Sequence, residues 1–168
     1  MNTTQRETAE RCMHAAHDGT MSFPAIIGAL LEAGFEGYHV DYRGGTVTYH
    51  LPSGDGAVVA APDITGPVAP RFDATIVEQA VREAQTNAPG YTYLGFCSKV
   101  RAAGCAGYLV SFLGKRVVYY GRTAETHVEL FPKAPECPPH SKPTWATGCA
   151  SCPTPCRIPS RPRWKRKA

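Results

Sequence analysis

The sequence predicts an α+β fold in which two α-α-β-β-β units are related by pseudo-two-fold symmetry, with helices packed on antiparallel sheet. Three observations carry this expectation. Residues 33–62 and 103–132 match at ten of 30 positions at a constant offset of 70, among them Gly34/Gly104, Gly37/Gly107, Tyr38/Tyr108, Val40/Val110 and Tyr49/Tyr119. Each matched stretch follows two segments of helical periodicity. Each also holds an alternating run broken by a turn, Gly44-Gly45 in one copy and Gly114-Lys115 in the other. Two copies are too few for a solenoid, so the expectation is one domain over residues 1–132, with repeats at about 3–62 and 73–132.

The elements follow in order. Thr4 and Glu7 have capping-box spacing, and Ala9, Cys12, Met13 and Ala16 recur at helical intervals up to Asp18-Gly19. Ser22 caps a second helix with Pro24 in its first turn, and its apolar face reads Phe23, Ile26, Ile27, Leu30 and Leu31. Gly34 stands where a left-handed terminal residue is wanted. Tyr38, Val40 and Tyr42 then alternate with His39, Asp41 and Arg43, the period of a half-buried strand. Gly44-Gly45 suits a two-residue hairpin turn, and a third strand at 56–61 completes the unit. A proline-rich connector, residues 61–71, leads to the second copy. There Asp73 caps a helix with Ile76, Val77, Ala80, Val81 and Ala84 inward. Thr92 caps another with Phe96, Cys97 and Val100 inward, stopped by Gly104, and a last strand is expected at 126–131.

Comparing the copies indicates which sheet face is buried. Tyr38, Val40 and Tyr42 correspond to Tyr108, Val110 and Phe112, whereas His39, Asp41 and Arg43 correspond to Leu109, Ser111 and Leu113. Packing imposes common demands on both copies, so the Tyr/Val/Tyr face is assigned to the core. The divergent face is where function has room to enter.

Composition divides the chain near residue 132. Residues 1–132 carry ten Lys/Arg against thirteen Asp/Glu, whereas residues 133–168 carry eight against one, Glu136, with eight prolines. Among Ile, Leu, Val, Met and Phe this tail holds only Ile158. It lacks the apolar surface to offset the entropy of ordering, which predicts disorder. The polar start MNTTQRETAERC lacks the apolar stretch of a secretory signal, and no run reaches the length of a membrane span. Seven cysteines, with Cys12, Cys97 and Cys105 in apolar contexts, read as reduced thiols. A cytoplasmic chain with no membrane partner is therefore expected.

Four clusters could carry chemistry. With Gly44-Gly45 as a two-residue turn, His39 faces His50 and Asp41 lies beside them, a candidate divalent-metal site. Arg122, Glu125, His127 and Glu129 form a second cluster, in which a strand puts His127 and Glu129 on one face for acid–base work; the alternative is a charged edge strand. Cys97 and Cys105 align with Ile27 and Phe35 and so read as buried core thiols. In the tail, Cys137 and His140 with Cys149 and Cys152 have paired spacing for zinc, against a disordered tail. The closing run RPRWKRKA offers nonspecific phosphate contact, so any nucleic-acid partner is expected to bind through the tail. No phosphate-binding glycine loop, nucleophile elbow or zinc-protease helix motif occurs, which lowers the expectation of an enzyme. No resident cofactor is indicated, and zinc is the metal that the paired tail spacing would suit.

The segments GYHVDYRGGTVTY (37–49), APGYTYLGFCSKVRAAGCAGYLVSFLGKRVVYYGR (88–122) and ETHVELFP (125–132) resemble an uncharacterised bacterial family. Its members are often labelled phage envelope protein, and one branch is called YbcV-like. The resemblance covers residues 3–132 and implies a compact α+β domain of bacteria or prophages. It supplies no catalytic residues, and the tail departs from the family's usual ending. The functional expectation is a binding or interaction module for a protein or small molecule. The alternative is a small metal-dependent or acid–base enzyme using His127/Glu129 or His39/His50.

Overall fold

A computed structural model describes residues 1–131. Helices α1 (Thr3–Asp18) and α2 (Phe23–Glu32) precede strands β1 (Gly37–Asp41), β2 (Thr46–His50) and β3 (Gly56–Ala60). After a 3-10 turn at Pro62–Ile64 come α3 (Ala74–Gln85), α4 (Tyr93–Ala102), β4 (Cys105–Ser111), β5 (Arg116–Gly121) and β6 (Thr126–Leu130). The strands form one antiparallel sheet in the order β3-β2-β1-β4-β5-β6. Described helices number four, and they pack against the sheet to give the mixed α+β class expected from the sequence.

Local signals place most of the helix ends. Ser22 accepts from the Ala25 N–H, Asp73 from those of Thr75 and Ile76, and Thr92 from that of Gly95. The first helix starts earlier than its Thr4/Glu7 pattern suggests. Asn2 is the cap, and Gln5 returns its side chain to the Asn2 N–H, forming the capping box two residues upstream.

The core lies between the helices and the Tyr38/Val40/Tyr42 face. Val40, Tyr42 and Val110 are sealed from solvent together with Leu30, Cys97 and Val100 of the helices. The buried helix arcs are narrower than the periodicity suggests. In α3 the buried residues are Val77, Ala80 and Val81, and Ile76, about 100° around the helix from Val77, is exposed. In α2, Ile26, Ile27 and Leu30 are buried, whereas Phe23 and Leu31 are exposed. Phe23 instead meets the ring of Phe131 edge-on, with centroids 5.8 Å apart.

Both hairpins differ from the expected two-residue turn. Strand β1 ends at Asp41 and β2 begins at Thr46, and β4 ends at Ser111 with β5 beginning at Arg116. The first residue of each loop, Tyr42 or Phe112, is held in the core, and its N–H donates across the β1–β4 seam, to Ala106 and Glu36 respectively. That leaves a four-residue connection with one left-handed residue, Gly45 (φ 60°) or Lys115 (φ 47°). The register therefore moves: His39 faces Thr48, and His50 faces Gly37.

Several backbone bonds recur 70 residues apart. Leu51 and Gly121 N–H donate to the carbonyls of Asp55 and Glu125, and Ala61 and Phe131 N–H donate to those of Gly45 and Lys115. At the centre of the sheet, β1 pairs with β4 so that His39 faces Leu109.

Candidate functional site

Among the described residues, the face of the sheet without helices holds the divergent residues of β1 and β4. His39 projects from the centre of β1 with Thr48 and Leu109 as its cross-strand neighbours. Its Nε2 lies 2.6 Å from the hydroxyl of Tyr120, a β5 residue two strands away, and the two rings stack with centroids 5.8 Å apart. Gly107 makes this reach possible. It lies on β4 between Asp41 and Tyr120, and a Cβ at Gly107 would meet the Tyr120 hydroxyl oxygen and the Val40 carbonyl oxygen, each at 2.3 Å. The Tyr120 side chain thus lies over bare backbone, a covering that aromatic residues give to strand glycines.

Burial lowers the affinity of His39 for a proton; the Asp41 charge opposes this, and His50 and Arg43 add to it. Burial also raises the Tyr120 phenol. Both groups are therefore neutral near pH 7, and the pair is a polar anchor of two hydrogen-bonding groups with no net charge. Tyr120 escaped the sequence reading because its partner is two strands away. The available signal was a glycine inside the β4 pattern, where close approach of another group is the usual cause.

The His39/Asp41/His50 metal site is not formed as expected. The four-residue hairpin removes the direct His39–His50 pairing, leaving the two side chains diagonal. Asp41 turns its Oδ1 to the Arg43 N–H at 2.9 Å and so closes the hairpin. Among the described residues, no group of three His, Cys, Asp or Glu side chains is placed to hold a metal ion.

The second cluster separates into two parts. His127 and Glu129 share the helix-facing side of β6, with Nε2 and Oε2 3.6 Å apart. Glu129 also accepts from Gln85 of α3 at 3.1 Å, and the His127 ring lies 6.2 Å from that of Tyr119. Among the described residues, the buried Nε2 of His127 has no hydrogen-bond partner. Arg122 and Glu125 belong instead to the β5–β6 turn. Arg122 reaches the Val68 carbonyl of the connector at 3.4 Å. Glu125 accepts from the Thr123 hydroxyl, which holds its carboxyl below the usual range.

Cys97 and Cys105 are sealed in the core, and burial pushes both thiols up to about 11, so neither is an activated nucleophile near pH 7. Cys137, His140, Cys149 and Cys152 lie outside the described residues. Two grooves open between the connector and α4, beside Val68 and Arg101, and between α3 and α4, beside Glu83 and Lys99; neither contains a candidate residue of β1, β2 or β6. None of the described helices is long and apolar enough to cross a membrane.

The outer face also carries apolar side chains where an antiparallel sheet facing water normally turns polar. In register across all six strands stand Val58, Thr48, His39, Leu109, Val118 and Val128. Val58 is 62% exposed, Leu109 42% and Val128 46%, with Leu130 at 61% beside them. At the usual strand spacing the row is about 24 Å long. Compared with known proteins, the chain matches no family model and no curated protein.

Proposed function

We propose that this chain is an interaction module whose docking surface is the helix-free face of its sheet. The reading is carried by exposed Val58, Leu109 and Val128 in one cross-strand row, in which Thr48 and the His39–Tyr120 anchor separate Val58 from the other two. Exposed apolar side chains of this kind favour burial against a partner, at roughly 25 cal/mol per Å² removed from water. A partner protein that lays apolar side chains along the row and one polar group at the anchor fits this surface. A small molecule fits it less well, because small-ligand sites are concave.

Two finer parts of the reading belong with it. The paired backbone bonds 70 residues apart and the His39–Leu109 centre support a pseudo-two-fold relation between the halves. The aromatic and glycine positions quoted above support kinship with the family labelled phage envelope protein.

The test is site-specific photo-crosslinking in cells of the source organism, with the photoreactive residue at position 109 or, as a control, at position 78 on α3. Position 109 is expected to capture a discrete protein that Val128→Lys abolishes while the melting transition is kept. Equal capture from both positions, or capture indifferent to Val128→Lys, removes the docking face. A second reading, acid–base chemistry, draws on the 3.6 Å His127–Glu129 pair with its unpartnered Nε2. It would be favoured by a turnover that His127→Gln abolishes without loss of fold.

A further inference from the structure

Among the described residues, the sheet ends at β3 on one side and β6 on the other. An edge strand offers unpaired N–H and C=O groups to any strand that reaches it, and proteins commonly blunt such edges with charges, prolines or bulges. Strand β6 is blunted. It turns His127 and Glu129 to the helix side, and Gln85 of α3 bonds Glu129 there.

Strand β3, with the sequence Gly-Ala-Val-Val-Ala, has no charge, no proline and an unbroken five-residue register with β2. Its hydrogen-bonding direction follows from its ends. Ala61 N–H donates to Gly45, and Leu51 N–H donates to Asp55. By antiparallel alternation Ala57 and Val59 bond to β2, so the backbone groups of Gly56, Val58 and Ala60 point away from the sheet. All three residues are exposed.

We infer that β3 pairs antiparallel with β3 of a second copy of this chain, about a two-fold axis at Val58. In that register Val58 meets its own counterpart and Gly56 meets Ala60, so the outward groups of all three residues are satisfied in both copies. The strand is compatible with itself in charge as well. The nearest carboxylate, Asp55, is held by the N-terminal amine at 3.1 Å, and antiparallel pairing puts the two copies of Asp55 at opposite ends of the interface. Small residues at 56, 57 and 60 place no bulky side chain in the path. The two sheets become one, and the outer-face rows of the two copies meet at Val58. Isologous pairing of this kind closes on itself and does not propagate.

Sedimentation of the full chain over a range of concentrations tests the inference. The mass is expected to rise from 18.1 kDa towards twice that value. Val58→Pro removes an outward N–H that β2 does not use, and Val58→Lys adds a like charge at the dyad. Each is expected to leave a monomer with an unchanged far-ultraviolet dichroism spectrum. Val128→Pro, the matching change on β6, and Leu109→Asp, on the open face, are expected to remain dimeric. A chain that stays monomeric at the highest soluble concentration overturns the inference. So does a dimer that folded Val58→Lys retains, or one that Leu109→Asp dissolves. None of these results bears on the crosslink from position 109, which reports on the docking face.

Discussion

His39 illustrates how one side chain on an open sheet can tie stability to pH. Burial is the main cause of its lowered proton affinity, so the folded chain binds fewer protons there than the unfolded chain does. Stability rises with pH wherever the unfolded state holds more protons. The His39 contribution is therefore complete above the ordinary imidazole value of 6.5 and is lost as pH falls through the lowered folded value. Replacing His39 with Gln is expected to flatten the denaturation midpoint between neutral and mildly acidic pH, as read by urea titration. An unchanged slope in that variant would mean that another group carries the dependence. The neutral state also suits a docking face, because a charged imidazole would have to be desolvated under an apolar partner.

Among the elements, the β1–β4 ladder is the most sensitive to a small change. Gly107→Ala would drive a methyl group into the Val40 carbonyl and the Tyr120 hydroxyl. It is expected to cost about 1–3 kcal/mol, the usual range for overpacking, and to lower the thermal midpoint measured by calorimetry. The same ladder shows what sequence can and cannot convey. The burial of Tyr38, Val40 and Tyr42 was legible because residues 38–42 and 108–112 share one alternating pattern, and packing asks the same of both. The His39–His50 pairing was misread because glycine pairs suggest a two-residue turn, while the core demand on Tyr42 lengthens it to four. The shared strand face of His127 and Glu129 was legible from period-two spacing alone. Their separation from Arg122 and Glu125 was not: those two fall in the β5–β6 turn, where Arg122 reaches the distant Val68 carbonyl and Glu125 accepts from the Thr123 hydroxyl. Contacts between distant strands, such as His39 with Tyr120, leave only an oblique trace in a single chain: here, a glycine where a side chain was expected.

Across the molecule, the strand order puts the first strand of each half side by side at the middle and the last strand of each half at a rim. The two central strands each have neighbours on both sides, whereas among the described residues β3 and β6 each have one strand neighbour. Amide exchange is therefore expected to be slowest at Tyr38, Val40, Tyr108 and Val110, and faster by orders of magnitude at Val58 and Val128, whose N–H groups face outward. Equal protection at the centre and the rims, in the isolated monomer, would contradict the topology. The outer-face row belongs to this scale too, since its apolar members Val58, Leu109, Val118 and Val128 come from four strands and no single element reveals it.

The seam between β1 and β4 has a consequence for how the chain acquires its shape. Each hairpin can zip from its own short loop, but the ladder that carries His39 opposite Leu109 closes a loop of about 70 residues, an entropy cost that grows with the logarithm of loop length. Helices and hairpins are local and quick to form; the seam is not, and rates fall as such long-range pairings dominate. Joining β1 to β4 is thus expected to be the slow step of folding. Until it is complete, each half presents a second naked strand border in the middle of the future sheet, and a ribosome must deliver almost the whole domain before that border can be covered.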